Sequence, residues 1–279
     1  MLNKRTRLRI LRYVVVLAGA WIMLYPILWM ISSSFKPSED IFQELALIPK
    51  RITFEHYPAG WRGSSGTTFT QFYINSFVLV LFAIIGNAIS CSLTAFAFAR
   101  LKFKGKNILF ALMMLTLMIP LHVLVIPQYI MFSRIGWMDT ILPIVVPKFF
   151  ATDAFFVFLM VQFIRGIPTD LDEAARIDGC SVYVLFVKII VPLIVPALVS
   201  TVIFTFMWTW NDFFSQMLYI SSIDNYTVTL ALRMFMDSEE ATIGPFFAMS
   251  SVSLIPIFVM FLFFQKYLVE GIATSGIKL

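Results

Sequence analysis

Six stretches of the chain are apolar almost without interruption, with polar residues gathered between them: about residues 13–33, 73–99, 108–132, 141–164, 196–220 and 243–265. A bilayer core is about 30 Å thick and an α-helix rises about 1.5 Å per residue, so about 20 apolar residues in a row suffice to cross it. The pattern predicts an all-α, polytopic membrane protein with six transmembrane helices. The third stretch contains Pro120 and Pro127, which lack backbone donors and predict a kink. The fourth holds Pro143, Pro147, Lys148 and Asp153, so its outer half is expected to be broken or to line a wet space.

Composition fits this pattern. Of 279 residues 59% are apolar and 13% charged, a balance that excludes a water-soluble enzyme. The basic cluster Lys4, Arg5, Arg7 and Arg9 could open a secretory signal, but residues 13–35 are uncharged, too long for an ordinary signal core, and end in Ser-Ser-Ser-Phe-Lys without a small-residue cleavage site. The first stretch is therefore read as a retained span. Six spans put both termini on one side, and with that side inside, fourteen of the 21 Lys and Arg residues are internal. By the positive-inside rule both termini are cytoplasmic. The expected organisation is a cytoplasmic N-terminus (1–12), a transmembrane domain (13–266) with an external segment (36–72) and a cytoplasmic loop (165–195), and a cytoplasmic tail (267–279). In the external segment Pro37-Ser38-Glu39-Asp40 predicts a helix start, and Trp61-Arg62-Gly63-Ser64-Ser65-Gly66 a flexible loop, able to touch an extracytoplasmic partner.

Several chemistries are excluded. Cys91 lies in an apolar run and Cys180 in a polar loop, so they build neither a disulfide framework nor a four-ligand metal site. His56 and His122 are far apart, and no metal site is expected. No phosphate-cradling Gly-x4-Gly-Lys-Ser/Thr loop exists, so any ATP must be bound by another chain, and no cofactor is expected here. The basic pI reflects orientation signals beside spans rather than nucleic-acid binding. A membrane-embedded enzyme would need a nucleophile, base or metal constellation, and a secondary transporter inverted repeats with more ionisable residues; neither is visible.

The loop 165–195 is the most informative part. Gly166-Ile167-Pro168 breaks the preceding span, Thr169 is placed as an N-cap, and Asp170, Asp172 and Glu173 put negative charge at a helix N-terminus. Gly179 suits a left-handed C-terminal cap, and Ala174 and Ala175 are small enough to admit another protein's backbone. Ser181 predicts a second short helix to Ile190, ended by Pro192 and Pro196.

The run Glu173-Ala174-Ala175-Arg176-Ile177-Asp178-Gly179, with Phe186, Ile189, Pro192 and Pro196 downstream, resembles the E-A-A-x3-G signature of ABC-importer permease subunits. Cys180 and Val191 depart conservatively from the usual Ala and Leu. Ser-Ser-Phe-Lys-Pro after the first span, Asn75-Ser76, Trp210-Asn211-Asp212-Phe213, Gln265-Lys266-Tyr267 and Gly276-Ile277-Lys278 extend the resemblance along nearly the whole chain, to carbohydrate permeases of the MalG type. The resemblance implies a second, homologous permease subunit, two copies of a cytoplasmic ATPase, an extracytoplasmic solute-binding protein and an oligosaccharide substrate. It implies that Glu173, Ala174, Ala175, Asp178 and Gly179 couple the permease to the ATPase.

For the substrate pathway the residues leave alternatives open. Trp208, Asp212 and Ser215 would share one face of a continuous helix, suiting an aromatic stacked on a sugar with a carboxylate on its hydroxyls; Asp212 and Asn211 equally suit holding helices together. His122, beside a proline kink, is either a pathway or a packing residue. Lys148 either pairs with Asp153 or faces the path and attracts an acidic sugar of plant or algal cell-wall origin, against a neutral malto- or other oligosaccharide.

Overall fold

The computed structural model describes residues 4–63, 66–236 and 243–276, with no strand among them. Ser64 and Ser65 of the expected flexible loop, and Ile277 and Lys278 of the tail signature, lie outside the described residues. Along the chain run α1 (Lys4–Ser33), α2 (His56–Arg62), α3 (Phe69–Arg100), α4 (Lys106–Thr116), α5 (Leu121–Arg134), α6 (Leu142–Val145), α7 (Ala154–Gly166) and α8 (Asp170–Ile177). They are followed by α9 (Val182–Val184), α10 (Val191–Leu193), α11 (Val195–Asn211), α12 (Phe213–Tyr219), α13 (Val228–Met236), α14 (Ile243–Ser253) and α15 (Ile255–Gly276). Among the described residues four segments are long and apolar enough to cross a membrane: Leu8–Ser33, Phe69–Arg100, Leu142–Gly166 and Ile243–Lys266. A fifth is obtained if Val182–Leu193 and Val195–Asn211, bent by 75°, form one broken span.

The expected third span is split. Pro120 stands at the N-cap of α5 in extended conformation, so neither α4 nor α5 is long enough to cross alone. The fourth expected span is broken in its first half, as its prolines predict: α6 passes into a 3-10 turn over Val146–Phe150, and Ala151 adopts a left-handed φ of 53° before α7. The fifth differs from expectation at both ends. It turns sharply at Ile194, between Pro192 and Pro196, and stops at Asn211 instead of running to residue 220.

Two compact units are formed, Met1–Thr70 with Ala231–Ile255, and Gln71–Leu230 with Pro256–Leu279. In the first, α2 lies against α14 at glycine contacts. A Cβ on Gly60 would come within 2.7 Å of the Met249 side chain, and one on Gly244 within 2.2 Å of the His56 ring. His56 Nε2 donates to the Lys36 carbonyl at 2.7 Å, and Trp29 of α1 meets Phe247 edge-on at 5.5 Å. The helix expected to start at Pro37 does not form. Residues 38–43 are turns, because Glu39 and Asp40 reach across to Arg51, at 2.7 and 2.8 Å, rather than capping a helix.

In the second unit one core joins α3, α7 and the helical segment after α8, where α9 passes through a π-helix over Leu185–Ile190 into α10, through Cys91, Phe96, Met160, Ile164, Leu185 and Ile194. Asn75 donates through Nδ2 to the carbonyls of Asp224 and Tyr226 at 2.8 and 2.9 Å, and Ser76 Oγ accepts the Val228 N–H at 2.8 Å. The Asn75-Ser76 pair thus clasps the segment before α13. Asp139, at φ 59°, ties its own loop to the segment after α12: its carboxylate accepts from the Ser221 and Ser222 N–H groups at 2.9 and 2.8 Å.

Candidate functional site

α8 is eight residues long, too short to persist alone, and is held from both ends. Asp170, Asp172 and Glu173 occupy its first turn, as expected, where they complement the helix dipole. Thr169 stands at the N-cap position but in helical conformation, so its carbonyl accepts from Asp172 and Glu173 N–H while its side chain makes no cap. The other end is a Schellman motif. Gly179 has φ 79°, its N–H donates to Arg176 O at 3.0 Å, and the Cys180 N–H reaches Ala175 O at 2.9 Å.

A clamp not anticipated from the sequence fixes α8 to the bundle. Arg100, the last residue of α3, donates through Nη2 to the Ile167 carbonyl at 2.7 Å and pairs through Nε with Asp172 Oδ2 at 3.0 Å. Both side chains are buried, 6% and 10% exposed. One guanidinium therefore grips the end of α7 and the start of α8 together. Ala175 is buried in the core, whereas Glu173, Ala174, Asp178 and Gly179 are exposed. Of the two alanines expected to meet a partner, only Ala174 is on the open face; Ala175 seats the helix on its own protein. That open face carries Ile177, 86% exposed, and Tyr183 beyond the cap, 72% exposed. Neither was singled out in the sequence, although a large apolar side chain beside a capped polar helix is a readable sign of docking.

The residues expected along the substrate pathway fall into two clusters around α11. Trp208 is half exposed and stacks on Phe156 at 5.2 Å, with Phe155 and Phe204 at 5.7 Å. Asn211 Nδ2 donates back to Met207 O at 2.7 Å and so closes α11. The shared face of Trp208, Asp212 and Ser215 does not exist, because the helix breaks between them. Asp212 is extended (φ −72°, ψ 91°) and its carboxylate accepts the Ser215 N–H at 3.0 Å, capping α12. Such a cap contributes about 0.5–2 kcal/mol, enough to end one helix and start another within an apolar run. His122, next to the Pro120 break, lies against Phe214 at 5.5 Å, so the interruptions of two spans meet here.

Lys148 belongs to the other cluster, with Asp153 at 2.8 Å. Asn87, fully buried in α3, donates to Asp153 Oδ2 at 2.6 Å and to Thr205 Oγ1 of α11 at 3.1 Å. Ser90 Oγ donates to the Lys148 carbonyl at 2.6 Å. The ion pair of the two sequence readings is thus present, each side chain about a quarter exposed, 24%.

The model of the family described as binding-protein-dependent transport system inner membrane component matches residues 86–274. The chain belongs to this family. It is accordingly a multi-pass membrane protein and a transport subunit rather than an enzyme. The galactooligosaccharides transport system permease protein GanQ of Bacillus subtilis is 30% identical, covering 95% of this chain and 94% of its own. The trehalose transport system permease protein SugB of Mycobacterium tuberculosis is 32% identical, covering 91% and 92%. A crystal structure of a bacterial ABC transporter involved in import of the acidic polysaccharide alginate superposes with a TM-score of 0.84 at 21% identity, covering 96% of this chain and 99% of that one. The family match includes α8 and both clusters around α11.

Proposed function

We propose that this chain is one of two homologous permease subunits of an ABC importer for an oligosaccharide, spanning the membrane six times with both termini in the cytoplasm. The observation that carries the reading is α8: a short helix capped at both ends, clamped by Arg100, with Glu173, Ala174 and Ile177 presented outward. A helix so held transmits a push without bending, which is what coupling to a separate ATPase requires. Two copies of that ATPase would hydrolyse the ATP, and an extracytoplasmic binding protein would deliver the sugar. The six-span count is supported by treating α4 with α5, and Val182–Leu193 with α11, as broken spans. Broken spans at the meeting of His122 and Asp212 are the usual construction of a transport path.

The names of relatives support an oligosaccharide as substrate. Trp208, half exposed, offers the aromatic face, with Asn211 one turn further along α11 as a polar partner. An acidic sugar is the narrower reading, supported by Lys148; its carboxylate would have to compete with Asp153 for the ammonium. The test is uptake in vesicles holding the whole complex. A chain that co-purifies with its ATPase, hydrolyses ATP on addition of the loaded binding protein and accumulates sugar bears the reading out; uptake unaffected by loss of the ATPase overturns it. Lys148→Gln in the same vesicles lowers acidic-sugar uptake selectively if the narrower reading holds, and unchanged uptake of every acidic sugar discards it.

A further inference from the structure

Between α1 and α2 the chain folds back along α1 in an irregular segment, residues 42–48, whose carbonyls are capped one after another by side chains. Lys36, fully buried, donates through Nζ to Glu44 O at 2.6 Å and to Ala46 O at 2.8 Å. Tyr25 hydroxyl reaches Leu45 O at 3.5 Å, and Ser32 Oγ donates to Leu47 O. Four consecutive carbonyls of a non-helical stretch thus face a donor from within the protein, the one to Leu45 being long, while the N–H groups of Leu45 to Ile48 have no protein partner among the described residues. In water such carbonyls are solvated freely, and burying a lysine to serve two of them gains little. In hydrocarbon an unpaired backbone group costs several kcal/mol and lipid-exposed irregular backbone is not tolerated, so a segment with capped carbonyls and open N–H groups belongs at the interface, where the N–H groups still meet water.

Depth and surface agree. Tyr25 lies two turns before the end of α1 at Ser33, so Leu45 sits about 12 Å back along a spanning helix at about 1.5 Å per residue. Three large apolar side chains on the outside of the segment are bare, Phe42 63%, Leu45 68% and Ile48 83% exposed, with Gln43 the exposed polar residue among them. They continue the apolar surface of α1, none of whose spanning window is buried. The nearby charges are matched, Glu44 with Lys50 at 2.7 Å.

Resting on the orientation proposed above, we propose that residues 42–48 lie in the interfacial layer of the outer leaflet, with the side chains of Phe42, Leu45 and Ile48 dipping among the acyl chains and Lys36 as the internal cap that makes this possible. The segment is a lipid-facing foot, not an aqueous loop. The experiment places nitroxide labels singly at Leu45 and Ile48, in a chain with Cys91 and Cys180 replaced by alanine, assembled with its partner subunits in phospholipid vesicles. Collision with oxygen and with a water-soluble nickel chelate is then measured. Labels at 45 and 48 are expected to give an oxygen-to-nickel ratio several-fold above one at exposed Glu55, and close to one at Leu24 on α1. Nickel-dominated collision at 45 and 48 would show an aqueous loop and overturn the proposal. Low collision with both probes would also overturn it, assigning the surface to a second protein chain. In Lys36→Met the label at 45 should shift toward nickel as the uncapped carbonyls seek water; an unshifted label would remove the role given to Lys36.

Discussion

Arg100 and Asp172 form a buried ion pair at 3.0 Å between the last residue of one spanning helix and the first turn of α8. Because the same guanidinium holds the Ile167 carbonyl, α8 cannot shift without straining the end of α3. Removing one partner of a buried pair leaves the other charge stranded, typically at a cost of about 3–5 kcal/mol, whereas replacing both with apolar residues is far milder. Asp172→Asn and Arg100→Met are each expected to loosen α8, seen as faster proteolysis after Arg176 and less transport per ATP. The double substitution Arg100→Met with Asp172→Leu should recover much of the proteolytic resistance; a double variant as labile as the singles would show that the pair is not the clamp.

Gly179 has open space around its missing Cβ, so its requirement is conformational: φ 79°. A β-branched residue there costs roughly 1–2 kcal/mol or more, whereas Asn tolerates the left-handed region better. Gly179→Val should insert in the membrane normally but detach or uncouple the ATPase, and Gly179→Asn should retain most coupling. The ratio of sugar taken up to ATP hydrolysed reads this directly. Equal ratios in Val and wild type would remove Gly179 from the coupling element.

Asp212 acts in the structure as a helix cap. Asp212→Ala should lower the stability of the unit by about 0.5–2 kcal/mol, and Asp212→Asn, which caps as well, by much less. Thermal unfolding of the purified complex separates the two. If Asn keeps stability and yet abolishes uptake, the carboxylate itself meets the sugar.

Asp139 is held well below the ordinary carboxylate range, at about 2, chiefly by the Ser222 hydroxyl and then by the Ser222 backbone N–H. Its unfolded value is about 3.9, so its contribution to stability is complete above that and is lost as pH falls toward about 2. The group is largely solvated, so the effect is local. Proteolytic nicking of residues 219–226 should increase from pH 5 to pH 2.5 in the wild type, and Asp139→Asn should show the low-pH susceptibility already at pH 5. A flat profile in both would remove the link.

Topology is tested by single cysteines at Thr6 and Glu55, both exposed. A membrane-impermeant maleimide added outside intact cells should modify the one at 55 and spare the one at 6. The opposite labelling would invert the orientation drawn from the basic residues.

What could be read before the structure, and what could not, follows physical lines. Gly179 was legible because a left-handed cap demands a particular residue, and Pro143 and Pro147 announce a break for a similar reason. Arg100 with Asp172 was not: the partners are remote in sequence, and each by itself looks like an ordinary terminal charge. The helix break at Asp212 was not legible because hydrophobic periodicity runs straight across it, while the break is made by a single side chain accepting one N–H. Lys36 looked like an external charge, and only the fold reveals its carbonyl partners. For the third span the apolar length was legible, but not that Pro120 would divide it into two helices too short to cross alone.

Asn87 spends both hydrogens of one amide on different elements, one on Asp153 just ahead of α7 and one on Thr205 in the middle of α11. A hydrogen bond weakens steeply once stretched by more than a few tenths of an ångström, so this amide reports on sliding among three helices at once. During a transport cycle α3, the start of α7 and the central turns of α11 must travel as a block, or the buried amide loses a partner where water is scarce. The hinges are then left to the places where backbone continuity is already interrupted: residues 117–120, Ile194 and Asp212. A rigid middle with three prebuilt joints lets a small displacement at one end become a change of tilt at the other.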